Sequence, residues 1–224
     1  LGGVGVVMFV LVVLPSMGST KMRLSSVELS SMAKDNFRYR TQKILQILLV
    51  VYVGLTLVET VLLRMAGMSW FEAVCNSFST IATGGFCTRN ASIAAYGSLW
   101  IEMIVVFFMA VSGLHFGLIF ATLTGKSNNI FRSEISRYYV LSLLFGGLIV
   151  SVSLWASDMY PTFASSMRYG FFQVVSVSST TGFATADSSV WTPLAIMVLT
   201  LFTMQCACAG STAGGIKCDR VLLA

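Results

Sequence analysis

Apolar and polar blocks alternate along the chain on a scale too long for a soluble core. Residues 1–17 are apolar, 20–43 polar, 44–66 apolar, 98–123 apolar, 124–136 polar, 137–157 apolar and 192–209 apolar. A membrane-spanning helix needs about 20 apolar residues. The stretches 44–66, 98–123 and 137–157 therefore predict full spans, and 192–209 a last one. Residues 1–17 are marginal and read as the remainder of a truncated span. Two semi-apolar runs, 70–80 and 163–177, are too short to cross. Each lies between two long apolar blocks and is followed by a Ser/Thr/Gly stretch, so the order is span, re-entrant helix, irregular loop, span. Ser69 is the expected N-cap of the first short helix, with Glu72 in its first turn.

The two Ser/Thr/Gly stretches are copies of one another. Gly85 and Gly182 lie 97 positions apart, and at that offset Ser79 meets Ser176, Thr83 meets Thr180, Phe86 meets Phe183, Thr88 meets Thr185 and Asn90 meets Asp187. Matched flanks make this an internal repeat of a whole unit rather than of a turn. Lipid offers no hydrogen bonds, so irregular backbone at membrane depth must be buried in protein or line a wet cavity. Glycine permits positive φ and threonine adds a hydroxyl oxygen. A ring of such carbonyls replaces the water shell of a dehydrated monovalent cation. By itself, a Thr-Gly-Phe string also fits a polar connector between hairpins; the duplication favours the pore loop.

The same offset carries Gly113 onto Gly210, both past the middle of the helix after a pore loop. Gly2-Gly3-Val4-Gly5 fits the same feature in an earlier repeat. The second interruption is the richer one: Gly210, Ser211, Thr212, Ala213, Gly214 and Gly215, with Lys217 just beyond. Small residues in a row make a poor lipid-facing helix, and the expectation is a loop beneath the pore loops that blocks or clears the path. A small-residue helix-packing face is the alternative.

Composition agrees with a membrane protein. The 224 residues are 56% hydrophobic and 10% charged, against roughly 25% charged in soluble domains. The net charge of +5 is distributed as orientation demands rather than as a nucleic-acid patch. Lys21, Arg23, Lys34, Arg38, Arg40, Lys43, Lys126, Arg132, Arg137, Lys217 and Arg220 fall on one side, and Arg64, Arg89 and Arg168 on the other. The first side is expected to be cytoplasmic, so both pore loops enter from outside, with Arg89, Asn90 and Asp187 at the outer mouth. Leu1 opens straight into an apolar run, so no signal peptide is expected and the chain reads as part of something longer.

Other chemistry finds little support. The five cysteines form no metal-ligand spacing. His115, the only histidine, shares a helix with Ser112, but no G-x-S-x-G turn supports a hydrolase; a hydrogen bond within the bundle is expected instead. Glu59, inside a span, fits either a side chain reaching the interface or one lining the pore entrance. Neither enzyme activity nor a cofactor is expected.

Four stretches carry a family resemblance: Lys34-Asp35-Asn36; Ser77 to Thr80 running on to Gly85-Phe86; Gly170 to Ser176 running on to Gly182-Phe183; and Cys208 to Lys217. With these, the chain resembles the TrkH-type membrane subunits of bacterial potassium uptake systems, in the Trk/Ktr/HKT superfamily of cation transporters. The resemblance implies an all-α membrane protein of four M1–pore-loop–M2 units arranged like a potassium channel, of which this chain holds about two. Residues 1–20 would end the M2 of repeat 1. Residues 21–43 and 124–136 would be cytoplasmic linkers. Repeat 2 would fill 44–123, and repeat 3, up to its interrupted M2, 137–224. Gly85 and Gly182 would be the filter glycines, with carbonyls of Thr83, Gly84, Thr180 and Thr181 lining potassium sites. Residues 210–215 would form an intramembrane gating loop. A multi-pass location in the bacterial inner membrane, a homodimer and a cytosolic TrkA-like nucleotide-binding subunit are implied too. Ala213 departs from a glycine and His115 from an asparagine in this pattern. Two other readings stay open: a non-conducting assembly or regulatory membrane protein, and a less selective sodium and potassium transporter.

Overall fold

The computed structural model describes residues 41–125, 130 and 133–222, and for 41–46 the backbone alone. The expected remnant of a first repeat, the first polar linker up to residue 40 and much of the second linker lie outside the described residues.

Helix α1 (Thr41–Met65) shows why the fold needs a bilayer. Val50, Val53, Leu57, Val58 and Val61 point outward and are exposed, whereas Thr56, Glu59, Thr60 and Leu63 are buried. The polar groups lie inside and the aliphatic ones outside, the inverse of a soluble amphipathic helix. The inward hydroxyls pair locally: Thr56 Oγ1 donates to the Tyr52 carbonyl at 2.8 Å, and Thr60 Oγ1 meets Ser77 Oγ at 2.6 Å. Ser77 belongs to α2 (Trp70–Ile81), the first re-entrant helix, which packs along α1. Ser69 caps α2 with Glu72 in a reciprocal capping box, as its sequence predicts.

A 3-10 helix (Ser92–Tyr96) leads to α3 (Leu99–Ser112) and α4 (Phe116–Leu123). These two divide the span expected over 98–123 at the interruption expected around Gly113, with a bend of 103° between them. His115 caps α4 by accepting the Gly117 N–H on Nδ1 at 3.0 Å, a local cap in place of the hydrogen bond across the bundle expected of it. Helix α5 (Glu134–Ala156), the second re-entrant helix α6 (Phe163–Ser178) and α7 (Pro193–Met204) repeat the plan, and α5 and α6 pack extensively. Glycines allow that closeness: a Cβ on Gly147 would sit 2.6 Å from the Phe171 ring. Together α1, α5 and the bent α3–α4 pair give up to three helical elements long and apolar enough to cross a membrane.

The last expected span stops early. Helix α7 ends at Met204, and Gln205–Cys206 (β1) pairs in parallel with Ile216–Lys217 (β2) before the short α8 (Cys218–Leu222). Residues 207–215 thus form a loop with a pinched neck and no helix, so the packing-face alternative does not occur.

The α3–α4 break sits where Gly113 meets α5. A Cβ on Gly113 would run into the buried Tyr139 hydroxyl and stand 2.8 Å from Cζ. Gly113→Ala is expected to lower stability by ~1–3 kcal/mol, the usual cost of overpacking, and Tyr139→Phe in the same chain to return part of it. Thermal unfolding of the purified protein in detergent measures both; an unshifted midpoint for Gly113→Ala would show that the kink does not depend on this contact.

Candidate ion-conduction site

Both re-entrant helices end by turning sharply into an extended loop, and the two turns are built alike. In the first, Gly84 N donates to Ser79 O at 2.7 Å and Thr83 N to Thr80 O at 3.0 Å. In the second, Thr181 N donates to Ser176 O and Thr180 N to Val177 O, both at 3.0 Å. Donors and acceptors all match at the offset of 97.

The backbone angles match too. Thr83 and Thr180 have φ of 52° and 56°, and Gly85 and Gly182 have 69° and 83°. Left-handed glycines are ordinary, but a β-branched residue there is strained and persists only when its surroundings over-determine it. Both strained threonines use their hydroxyls. Thr83 Oγ1 donates toward Ala82 O at 2.7 Å and Thr212 O at 3.1 Å, and Thr180 Oγ1 accepts the Gly214 N–H at 2.9 Å. Nothing in a single sequence marks a threonine for positive φ, so this feature was legible only as the repeat itself.

The loops approach one another. A Cβ on Gly85 would run into the Thr181 carbonyl oxygen and stand 3.1 Å from its carbonyl carbon. Beyond the loops, Ala94 N donates to Ala184 O and Ala184 N to Ser92 Oγ, both at 3.2 Å. The six residues expected at the ion sites, Thr83, Gly84, Gly85, Thr180, Thr181 and Gly182, therefore fall in two adjoining segments. The repeat partners Phe86 and Phe183 differ, being 84% and 1% exposed.

The loop over 210–215 lies against both turns. Thr212 Oγ1 donates to Ile81 O at 2.9 Å, and Phe116 N and Cys208 N reach Gly210 O and Gly113 O at 3.2 and 3.0 Å. Gly210 faces His115, whose Nε2 would lie 2.7 Å from an added Cβ. Lys217 Nζ donates to Ala213 O, and Asp219 Oδ1 accepts from Ala209 N at 3.4 Å. Ser211 Oγ caps its own turn on Cys208 O at 2.7 Å. Gly214 and Gly215 complete the loop, Gly215 with φ of 69°.

Glu59 is 0% exposed on α1, and neither of its carboxyl oxygens has a hydrogen-bond partner among the described residues, so it neither reaches the surface nor lines an open entrance here. Among the described residues no group of three or more His, Cys, Asp or Glu side chains is placed to hold a metal ion.

A model of the TrkH cation transport protein family matches residues 1–150 and 157–224. The chain belongs to the TrkH family. It is 37% identical to the Trk system potassium uptake protein TrkH of Salmonella typhimurium over 225 residues, covering 99% of this chain and 46% of that relative. TrkH of Halomonas elongata is 36% identical over 225 residues, with 100% and 46% covered. The crystal structure of the potassium transporter TrkH from Vibrio parahaemolyticus superposes with a TM-score of 0.82 at 29% identity, over 99% of this chain and 45% of that one. The chain thus spans about half the length of the curated TrkH relatives it matches. The all-α architecture of incomplete pore-loop units agrees with that TrkH fold.

Where α2 begins, Glu72 Oε1 accepts from Arg89 Nε at 2.8 Å, and Arg89 stacks 5.0 Å over the Tyr96 ring. Hydrogen bonds from Arg89 and then Ser69 hold the Glu72 carboxyl below its usual range. A lowered folded-state value means the tether is intact above the ordinary carboxylate range and is lost as pH falls through the lowered value. Amide exchange over 88–92, corrected for its intrinsic pH dependence, is expected to speed up on acidification in the wild type. In Glu72→Gln it should be fast at every pH, and equal exchange in the two proteins would detach Arg89 from this role.

Proposed function

We propose that this chain forms two of the pore-loop units of a potassium uptake protein, moving potassium through a filter of main-chain carbonyls. The observation that carries the reading is the pair of turns with the same hydrogen bonds and the same positive φ at Thr83/Thr180 and Gly85/Gly182, set side by side. Strained backbone reproduced in two distant segments is the signature of a required geometry rather than of a connector. Each turn lies at the C-terminal end of a re-entrant helix, where the helix dipole is partly negative and favours a cation. The relatives' names as potassium uptake proteins supply the ion.

The loop 210–215 is the proposed gate. Its hydrogen bonds with Thr83, Ile81 and Thr180 support a place beneath both turns, and its small residues suit a segment that moves aside. In this reading the protein sits in the bacterial inner membrane with the basic linkers in the cytosol. The exposed Phe86 is the surface a neighbouring repeat would cover, as Phe183 is covered here. A homodimer and a cytosolic TrkA-like nucleotide-binding subunit complete the proposal. The protein catalyses no covalent step and needs no cofactor in this mechanism.

Growth of uptake-deficient cells at low potassium tests the reading. The full-length protein is expected to restore growth. The double variant Gly85→Ser, Gly182→Ser is expected to lose discrimination against sodium, because a side chain at those φ values tilts the carbonyls away. Equal rescue by both would remove the filter role. For the gate, Thr212→Val deletes the hydroxyl that reaches Ile81 O, and one net hydrogen bond of ~1 kcal/mol predicts roughly fivefold higher unstimulated rubidium flux. Thr212→Ser should stay near wild type. Unchanged flux in Thr212→Val would mean that this contact does not hold the gate.

A further inference from the structure

Arg168 lies on α6, the helix that delivers the second filter, but its partner lies in the other repeat. Its guanidinium grips Glu102 of α3 with two parallel bonds, Nε to Oε2 at 2.6 Å and Nη2 to Oε1 at 2.7 Å. The Glu102 side chain is 5% exposed and that of Arg168 29%. Glu102 stands in the first turn of α3, where the Ser98 cap supplies no side-chain bond and a carboxylate is favoured by the helix N-terminus. On its other side the guanidinium lies 5.3 Å over the Tyr169 ring, which stacks on Tyr160 at 4.9 Å. Both partners are thus held from two directions.

This ion pair joins the two repeats, whereas Arg89–Glu72 closes within one. Beside the shared apolar core, the other polar links between the repeats near the filters are, among the described residues, single hydrogen bonds, such as Ala94 N to Ala184 O. A bidentate guanidinium–carboxylate pair differs from these in fixing angle as well as distance. A carbonyl cage, in turn, selects its ion through the spacing and number of its oxygens.

We infer that Glu102 and Arg168 are positioning residues for ion selectivity: their bidentate pair sets the second filter against the first. The inference rests on the filter reading above. It separates from simple charge balance at the mouth through Arg168→Lys, which keeps the charge but replaces the planar fork with a point donor.

The test is rubidium uptake by full-length protein in proteoliposomes, with sodium as competitor, reading maximal rate and sodium inhibition separately. Glu102→Gln and Arg168→Lys are each expected to lose roughly tenfold in discrimination against sodium, in the range found for coupled charged neighbours, with rubidium still carried. Exchanging the two, Glu102→Arg with Arg168→Glu, is expected to recover part of that loss, which a nonspecific packing defect would not. Wild-type discrimination in Arg168→Lys, at normal abundance and size-exclusion profile, overturns the positioning role and leaves the filter reading standing. A wild-type protein that itself fails to prefer rubidium over sodium overturns the filter reading and this inference with it.

Discussion

Everything in this fold answers to one constraint: a peptide group inside a bilayer must find its hydrogen-bond partner within the protein. The helices meet it by themselves. The segments that leave helical geometry, 82–88, 179–187 and 207–215, meet it with hydroxyls and with each other's main chains. Ser176 Oγ donates to Phe183 O at 2.6 Å, Thr212 Oγ1 to Ile81 O at 2.9 Å, and Gly214 N to Thr180 Oγ1 at 2.9 Å. Serine and threonine are abundant at these places because a short hydroxyl is the smallest group that both gives and takes a hydrogen bond.

The two repeats place the same local solution in unequal surroundings. The two main-chain hydrogen bonds that close each turn match at the repeat offset, yet Gly85 abuts the Thr181 carbonyl while a Cβ on Gly182 would meet nothing within 4 Å. Phe86 is exposed and Phe183 buried. Internal duplication supplies the backbone geometry, whereas the neighbour decides what becomes of each side chain. The ion pair between Glu102 and Arg168 follows the same logic, as neither residue has a charged counterpart at the repeat offset, where Leu199 and Phe71 stand.

The interrupted helix after the second turn links the parts. The loop 207–215 touches the first turn through Thr83 and Ile81, the second through Thr180, and the α3–α4 break through Gly113 and Phe116. A segment tied to three elements cannot move without changing all of them, because packed interiors shift between discrete arrangements rather than deform smoothly. The 103° bend between α3 and α4 lies where the loop bonds to Gly113 O and Phe116 N.

Local pattern alone determined the spans over 44–66 and 137–157, the two re-entrant helices with the Ser69 capping box, the repeat and the absence of helix over 210–215. Each follows from the length of apolar runs, from residues three or four apart, or from small residues in a row, and the bilayer leaves few other solutions. Tertiary structure decided the rest. The positive φ of Thr83 and Thr180 and the full burial of Glu59 are set by packing, and the docking of Thr212 on Ile81 and the pairing of Arg168 with Glu102 join residues up to 131 positions apart. No periodicity couples positions so distant. Their meeting is set by how two repeats pack face to face, and a threonine accepts a strained backbone only because that packing holds it there.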